Sequence, residues 1–125
     1  MYYVSKRMEI AGAHNLKLDY ESKCKNIHGH NWIITVHCKA EHLNHNSMVV
    51  DFKKIKELVH GKLDHAYIND VVEGLNPTAE NIARWICSNV NDYLLELKQQ
   101  GDGDGRCFKV EVQESEGNTA TYIEE

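Results

Sequence analysis

The sequence predicts an α+β fold of the order ββααββ, with a four-stranded antiparallel sheet and two helices on one face. Near the amino terminus, residues 2–14 and 28–39 alternate in polarity as strands do. The middle of the chain carries apolar residues at helical spacing, and the carboxyl-terminal part alternates again. Two pairs of strands flanking two helices can join into one sheet that the helices cover on one side. With 125 residues, we expect one domain, residues 1–125.

The first two strands bring three histidines together. One face of residues 2–14 is mostly apolar and ends at His14. In residues 28–39, His28 and His30 share a face because side chains alternate along a strand. An antiparallel pair of these two strands would place the three imidazoles near one another.

Two helices are predicted in the middle of the chain. Asp51 fits the N-cap of the first helix, and the apolar residues that follow at helical spacing are Phe52, Ile55, Leu58, Val59 and Leu63. Residues 64–75 show no such pattern and are predicted as a loop. Asn76 and Pro77 then fit the N-cap and first position of the second helix. Its apolar stripe comprises Ile82, Trp85, Ile86, Val90, Tyr93, Leu94 and Leu97.

The carboxyl-terminal part predicts the second pair of strands. Residues 101–105, a Gly-Asp-Gly-Asp-Gly run, lack the Lys-Ser/Thr of a phosphate-binding loop and are expected to be a flexible connection. The alternating apolar residues of the third strand are Phe108, Val110 and Val112. A turn at residues 117–118 leads to the last strand, residues 119–123.

Composition and charge argue against several classes of protein. The net charge is −5 and Lys and Arg form no stripe, which argues against a nucleic-acid-binding surface. No apolar stretch approaches the ~20 residues that a membrane-spanning helix needs. The amino terminus lacks the charged-then-apolar order of a signal peptide, so we expect a cytoplasmic protein. In a reducing cytosol, the four cysteines are expected to be free thiols.

Three of the eight histidines fit a metal site. His28 and His30 supply two imidazoles from one strand face, and His14 supplies a third from the neighbouring strand. Three protein nitrogens with one open position are typical of catalytic zinc sites rather than of closed structural ones. The alternative is that these are ordinary strand histidines without a ligand. Four other histidines lack this arrangement and are expected to be solvated: His37, His42, His45 and His60.

Three further positions carry ionisable groups that a reaction can use. Cys24 lies in the polar loop 15–27, where a neighbouring metal or imidazolium would make it a base or nucleophile; alternatively, it has no role. Asp64 precedes His65 and can fix the tautomer of a proton-shuttling imidazole; alternatively, it satisfies backbone groups at the helix end. Glu114 continues the inward face of the third strand, so its carboxylate needs a partner or a ligand rich in N–H donors.

Six motifs spread over nearly the whole chain resemble the 6-pyruvoyl-tetrahydropterin synthase and 6-carboxy-tetrahydropterin synthase family, which has the tunnelling fold. The motifs are Ala11-Gly12-Ala13-His14, Cys24-Lys25-Asn26-Ile27-His28-Gly29-His30, Met48-Val49-Val50-Asp51-Phe52, Leu63-Asp64-His65-Ala66-Tyr67-Ile68-Asn69-Asp70, Asn76-Pro77-Thr78-Ala79-Glu80-Asn81 and Val110-Glu111-Val112-Gln113-Glu114-Ser115. Any one is weak, but their order and spacing together are highly specific. The resemblance implies a homo-oligomer, a trimer or two stacked trimers, with sites at subunit interfaces.

The resemblance also implies roles for individual residues. The implied zinc ligands are His14, His28 and His30. The implied catalytic residues are Cys24, Asp64, His65 and Glu114. The implied substrate-binding residues are Thr78, Glu80 and Glu114, the last of which would anchor the pterin.

The three residues between Cys24 and His28 resemble the carboxy-forming branch of the family, since the pyruvoyl-forming branch typically has a longer gap. The carboxy-forming branch belongs to queuosine biosynthesis. It converts 7,8-dihydroneopterin triphosphate to 6-carboxy-5,6,7,8-tetrahydropterin, acetaldehyde and triphosphate with Zn²⁺ as cofactor. The alternatives are the pyruvoyl-forming synthase and a non-catalytic module that zinc stabilises. The implied partner is a small pterin, with no nucleic acid and no membrane.

Overall fold

The computed structural model describes residues 1–124 and contains one five-stranded mixed sheet. The strands are β1 (Tyr2–His14), β2 (His28–Ala40), β3 (Ala66–Tyr67), β4 (Arg106–Ser115) and β5 (Asn118–Ile123). The helices are α1 (Phe52–Leu63), α2 (Ile68–Val71) and α3 (Ala79–Gln99), and Lys23–Lys25 form a 3₁₀ turn. In the order β3-β1-β2-β4-β5, all neighbours are antiparallel except β3, which is parallel to β1.

The prediction of a four-stranded, wholly antiparallel sheet is therefore wrong, because the sheet has a fifth strand, β3, which is parallel to its neighbour β1. β3 lies within residues 64–75, which the sequence predicts as a loop, and it pairs with Gly12 and Ala13 of β1. A strand of two residues is too short to show alternation. It forms because the chain is drawn against β1, where the N–H of His65 donates to the carbonyl of Ala11 at 2.6 Å.

The core lies on one face of the sheet, and the two long helices cover that face as predicted. β1 and β2 pair without interruption from Tyr2 with Ala40 to His14 with His28, so their alternation is kept along the whole hairpin. The buried strand residues include Met8, Ile10, Trp32, Ile34, Val36, Cys38, Val110 and Val112. The helix residues in the same core cluster include Ile55, Val59, Leu63, Ile82, Ile86 and Val90.

One helix cap is where the sequence predicts it and the other is not. Asp51 caps α1, and its carboxylate accepts the N–H of Lys53 at 2.9 Å. The predicted N-cap of α3, Asn76, is wrong. Thr78 caps α3 instead, and the amide of Asn76 pairs with the backbone of Lys17, a contact that local sequence does not reveal.

Residues 101–105 are a docked loop rather than the expected flexible connection. Asp104 accepts the backbone N–H of His42 at 2.9 Å, and its other oxygen lies 2.9 Å from the ring Nδ1 of His42. Asp102 accepts the backbone N–H of His45 at 2.8 Å and lies 3.0 Å from its ring Nδ1. We call these two pairs the aspartate clamp. His42 and His45, expected to be solvated, are exposed but hydrogen-bonded.

Within residues 1–124, none of the helices is both long and apolar enough to cross a membrane.

Candidate metal centre and active site

Three imidazoles meet at one end of the sheet, as the sequence predicts. His14 is the last residue of β1 and is the register partner of His28, the first residue of β2. His30 follows two residues later on the same face. The three ring centroids lie 4.6 Å, 4.9 Å and 5.2 Å apart. One nitrogen from each ring lies within 4.8 Å of the others, so the rings can share one metal ion.

Two backbone carbonyls fix which ring nitrogens face the centre of this cluster. Nδ1 of His14 lies 2.8 Å from the carbonyl oxygen of Pro77, and Nδ1 of His28 lies 2.7 Å from that of Asn26. Because a carbonyl only accepts, each Nδ1 carries the proton and donates it. Each Nε2 is then left with a free lone pair, the form that binds a metal. The sequence gives no signal for these two carbonyl contacts.

The cluster contains buried nitrogens that the protein leaves without a partner. Among the described residues, Nε2 of His14 and Nε2 of His30 are buried and accept or donate no hydrogen bond. Burial lowers the pKa of His14, the carbonyl of Pro77 opposes this, and the neighbouring His28 lowers it further. A neutral imidazole with an unused lone pair is what a metal ion requires. The donor set therefore fits a zinc ion with an open position.

Trp32 forms the floor of the cluster. Its ring packs edge-on against His14 and His30, with centroids 4.8 Å and 5.1 Å away. Its indole N–H donates to the carbonyl of Gly12 at 3.1 Å, so the buried ring is anchored by its polar atom as well as by packing. Strand alternation puts Trp32 on the same face of β2 as His28 and His30, but its packing against the imidazoles has no local sequence signal.

Glu114 lies against the cluster, at the end of the buried face of β4. Its Oε1 is 3.3 Å from Nε2 of His30, an ion-pair distance at which hydrogen-bond geometry is not met. The carboxylate is 30% exposed, so one side of it stays open to a ligand. The alternation along β4 predicted this inward position.

Asp64 links the end of α1 to β1 and approaches His65. One carboxylate oxygen accepts the N–H of Ala11 at 2.9 Å, and this bond is the main reason that the pKa of Asp64 is lowered. The other oxygen lies 3.5 Å from Nε2 of His65 and also 3.5 Å from Nε2 of His60. Asp64 thus accepts a backbone N–H, as expected if it satisfies backbone groups near the end of the helix. It also stays charged beside the imidazoles of His60 and His65.

His65 borders an open cavity together with His30. The backbone of His65 has a φ of 55°, a left-handed conformation that is uncommon for a residue other than glycine. Its side chain is 83% exposed and points away from the core. A cavity of about 500 Å³ is lined by His65, His30, Tyr67 and the strand backbone around Gly12 and Gly29. One imidazole of the cluster, that of His30, therefore lines the same cavity as His65.

Three predicted site residues remain: Cys24, Thr78 and Glu80. Cys24 is half-buried in its 3₁₀ turn, whereas the three other cysteines are buried. The hydroxyl of Thr78 is engaged as the cap of α3, where it accepts the N–H of Asn81 at 3.2 Å. Glu80 is exposed in the first turn of α3. Over residues 1–124, neither Thr78 nor Glu80 hydrogen-bonds to the three imidazoles.

Comparisons with known proteins identify the family to which the chain is similar. A family model described as 6-pyruvoyl tetrahydropterin synthase matches residues 3–125. A 6-carboxy-5,6,7,8-tetrahydropterin synthase of Bacillus subtilis is 28% identical over 127 residues, which cover 97% of this chain and 84% of the relative. A dihydroneopterin monophosphate aldolase of Pyrococcus furiosus is 32% identical over 113 residues, which cover 86% of this chain and 93% of the relative.

A solved structure shows the same fold. The 6-pyruvoyl tetrahydropterin synthase of Caenorhabditis elegans superposes with a TM-score of 0.75 and 23% sequence identity. The superposition covers 99% of this chain and 96% of the other. At this identity the likeness bears on the fold alone.

Proposed function

The chain belongs to the 6-pyruvoyl tetrahydropterin synthase family, and on this premise we propose that it converts 7,8-dihydroneopterin triphosphate to 6-carboxy-5,6,7,8-tetrahydropterin. One water molecule is consumed, acetaldehyde and triphosphate are the other products, and the reaction belongs to queuosine and 7-deazapurine biosynthesis. The observation that carries the proposal is the cluster of three imidazoles with two unpartnered nitrogens beside an open cavity. The name of the Bacillus relative and the short spacing between Cys24 and His28 support the carboxy-forming reaction.

His14, His28 and His30 are the residues that would hold a zinc ion. A bound zinc ion would supply Lewis acidity toward the hydroxyl oxygens of the substrate side chain and so acidify the neighbouring C–H bonds. The two carbonyl contacts on Nδ1 of His14 and of His28 orient these rings before any ion binds. Every other role in the proposed reaction falls to side chains of the chain itself.

The proposed proton transfers use Cys24 on one side of the substrate and His65 on the other. Cys24, as a thiolate, would remove a proton from the side chain, and His65 would deliver or accept another. Asp64 would hold His65. Support comes from the lowered pKa of Asp64, which keeps it charged, and from the place of His65 on the cavity that His30 also lines.

Glu114 would bind the pterin ring and could also join the proton relay. Its carboxylate can accept two parallel hydrogen bonds, from the 2-amino group and the ring N–H, and so fix the orientation of the ring. Its approach to His30 and its partial exposure support a position where a ligand can reach both the carboxylate and the metal cluster. Thr78 and Glu80, at the start of α3, would border the pterin pocket.

Three other functions use the same residues differently. The pyruvoyl-forming synthase eliminates triphosphate from the same substrate and keeps all the carbons. An aldolase acting on dihydroneopterin monophosphate is a further candidate, because a relative of that name covers most of this chain. A non-catalytic module would use zinc for stability alone, and Cys24→Ala would then be expected to lose metal or stability.

Assembly is proposed from the resemblance together with the two open edges of the sheet. β3 covers β1 only at Gly12 and Ala13, and β5 forms the other edge. Unpaired edges offer backbone groups to another chain. We therefore propose a trimer or hexamer of single-domain chains, residues 1–125, with sites at subunit interfaces. A cytoplasmic location stays a prediction.

The test is to incubate the zinc-loaded protein with 7,8-dihydroneopterin triphosphate and to identify the products by mass spectrometry. 6-Carboxy-tetrahydropterin with acetaldehyde is the expected result. A 6-pyruvoyl product would assign the sister activity instead. A parallel incubation with dihydroneopterin monophosphate tests the aldolase, and unchanged substrates with zinc confirmed would overturn all three enzymatic assignments.

A further inference from the structure

Two asparagine side chains hydrogen-bond to the backbone segment that follows β1. Their amides bond its N–H and C=O groups in the way that the backbone of a neighbouring strand does. Asn69 accepts the N–H of Asn15 at 3.0 Å through Oδ1 and donates to the carbonyl of Asn15 at 2.9 Å through Nδ2. Asn76 makes the same two bonds with Lys17, each at 2.9 Å. Each side-chain amide thus uses its donor and its acceptor on a single backbone residue.

These contacts continue the edge of β1 beyond its last residue. Asn15 and Lys17 are two residues apart, so in extended chain their N–H and C=O groups face the same edge. The pairing between β1 and β3 ends at Ala13, and the amides of Asn69 and Asn76 take over the edge from there. The bonds join residues more than 50 positions apart in the chain.

The opposite edge of the same segment holds the turn that carries Cys24. The N–H of Leu16 donates to the carbonyl of Cys24 at 2.8 Å. The side-chain amide of Asn15 donates to the carbonyl of Lys25 at 3.3 Å, and the hydroxyl of Tyr67 donates to Asn15. The segment 15–17 is therefore tied on one side to the two asparagines and on the other to the turn.

The position of the turn that carries Cys24 is not fixed by burial of its own residues in the core. None of the residues Lys23–Lys25 is buried, so no core contact fixes where the thiol stands. The N–H of Cys24 bonds only locally, to the hydroxyl of Ser22 at 3.1 Å. Besides the short chain link from Cys24 to the start of β2 at His28, the bonds through Leu16 and Asn15 relate the turn to the sheet and to the end of β1.

We infer that Asn69 and Asn76 are positioning residues for Cys24, acting through the segment 15–17. This inference rests on the proposed function of Cys24 as the base. Loss of either amide frees one residue of the segment and lets the turn move relative to the metal cluster. A misplacement of about 1 Å is enough to lower a rate about 10²-fold.

The experiment compares Asn69→Ala and Asn76→Ala with the wild type and with Asn89→Ala. Asn89 is a matched control because its amide also makes a long-range bond, to the carbonyl of Leu58 at 2.8 Å, but lies away from the turn. Zinc content, kcat, KM and the rate of Cys24 alkylation by iodoacetamide in the folded protein are measured. Cys24 can be followed by peptide mass spectrometry because the other cysteines are buried.

The expected result for Asn69→Ala and Asn76→Ala is full zinc content, a near-normal KM, a kcat lowered by tenfold or more, and alkylation of Cys24 accelerated several-fold. Asn89→Ala should match the wild type in all four. Wild-type kcat and alkylation in the Asn69 and Asn76 variants would overturn the inference, as would a fall in kcat that tracks zinc loss with alkylation unchanged.

A second variant covers the case in which Asn69→Ala does not fold. Asn69→Asp keeps an acceptor for the N–H of Asn15 but places a carboxylate oxygen where the donor to its carbonyl stood, and we expect the same changes in kcat and in alkylation. Failure of the proposed function is seen separately, as full activity of Cys24→Ala. The alkylation rate then still reports whether the asparagines hold the turn.

Discussion

His28 is the proposed ligand whose removal tests the metal centre with least damage to the fold. Its ring is half-buried and is oriented by the local carbonyl of Asn26, so its loss leaves no large cavity in the core. We expect His28→Ala to stay folded but to lose stoichiometric zinc, measured by elemental analysis of the purified protein. His37→Ala is the control on the opposite face of β2, where His37 bonds Glu111, and it should keep its zinc. Stoichiometric zinc in His28→Ala would contradict the assignment.

Substitution of Cys24 distinguishes a catalytic metal centre from a purely structural one. In the proposed reaction it is a base and not a ligand, so Cys24→Ala should keep both zinc and fold. Loss of general-base catalysis lowers a rate by about 10²–10⁴-fold, and we expect turnover of 7,8-dihydroneopterin triphosphate to fall by that amount. A zinc-loaded, folded and fully active Cys24→Ala would show that another group is the base.

At the scale of elements, two glycines predict opposite responses to alanine. Gly103, between the two aspartates of the aspartate clamp, has a φ of 79°. A Cβ added there would lie 3.1 Å from the backbone nitrogen of Asn44. Gly103→Ala should lower the free energy of unfolding by about 1–2 kcal/mol, since left-handed backbone is costly for other residues. Gly61→Ala in α1 has room, with the nearest atom 3.9 Å away, and should raise that free energy by up to about 1 kcal/mol. Urea unfolding measures both.

The aspartate clamp makes stability depend on pH in two directions. The hydrogen bond to Asp104 raises the pKa of His42, so the contribution of His42 is complete below the ordinary histidine value of about 6.5 and is lost as pH rises through the raised pKa. Backbone N–H groups of His45 and His42 lower the pKa values of Asp102 and Asp104, respectively. Their contribution is present above about pH 3.9 and is lost as pH falls through the lowered values.

The clamp should therefore contribute most between about pH 4 and pH 6.5. We expect wild type to exceed His42→Gln in unfolding midpoint at about pH 5.5 and to lose most of this advantage at about pH 9. Urea titrations of both proteins at the two pH values provide the measurement. An equal difference at both pH values would show that the charge of His42 does not contribute.

The elements that sequence predicted well are those whose pattern is local. The strand 2–14 is placed to the residue, because its side chains alternate and the face that ends at His14 is buried from Met8 onward. What sequence missed depends on distant partners: β3 is set by contacts with β1, and Asn76 is drawn from a capping role by Lys17, 59 positions away. From sequence alone, the glycine-aspartate run 101–105 is predicted to be flexible. Its order depends on the backbone N–H groups of His42 and His45, some 60 residues earlier, which its carboxylates accept.

The same division applies to the candidate site. The three imidazoles could be predicted because strand alternation and a simple hairpin bring His14, His28 and His30 to one face. The carbonyl of Pro77 that orients His14 could not, since it comes from the approach to α3, 63 positions away. The candidate ligands lie in strand patterns, whereas the carbonyl that orients His14 comes from a distant part of the chain and the one that orients His28 comes from the preceding loop.

At the scale of the whole molecule, the open edges of the sheet predict how stability responds to concentration. The edge of β1 from Tyr2 to Ala11 has no second strand beside it in the described chain, and β5 leaves its outer edge free. Tyr2 and Tyr3 expose about half or more of their surface there. If copies of the chain pair through these edges, association stabilises the folded state by mass action.

We therefore expect sedimentation to give three or six times the chain mass of 14.4 kDa. The unfolding midpoint should rise with protein concentration, because an oligomer that unfolds to single chains is stabilised as its concentration increases. A monomeric mass with a midpoint independent of concentration would contradict the proposed assembly. Residues of a single chain would then have to form the whole site, and the cavity lined by His30 and His65 would stay open to solvent beside the exposed side chain of His65.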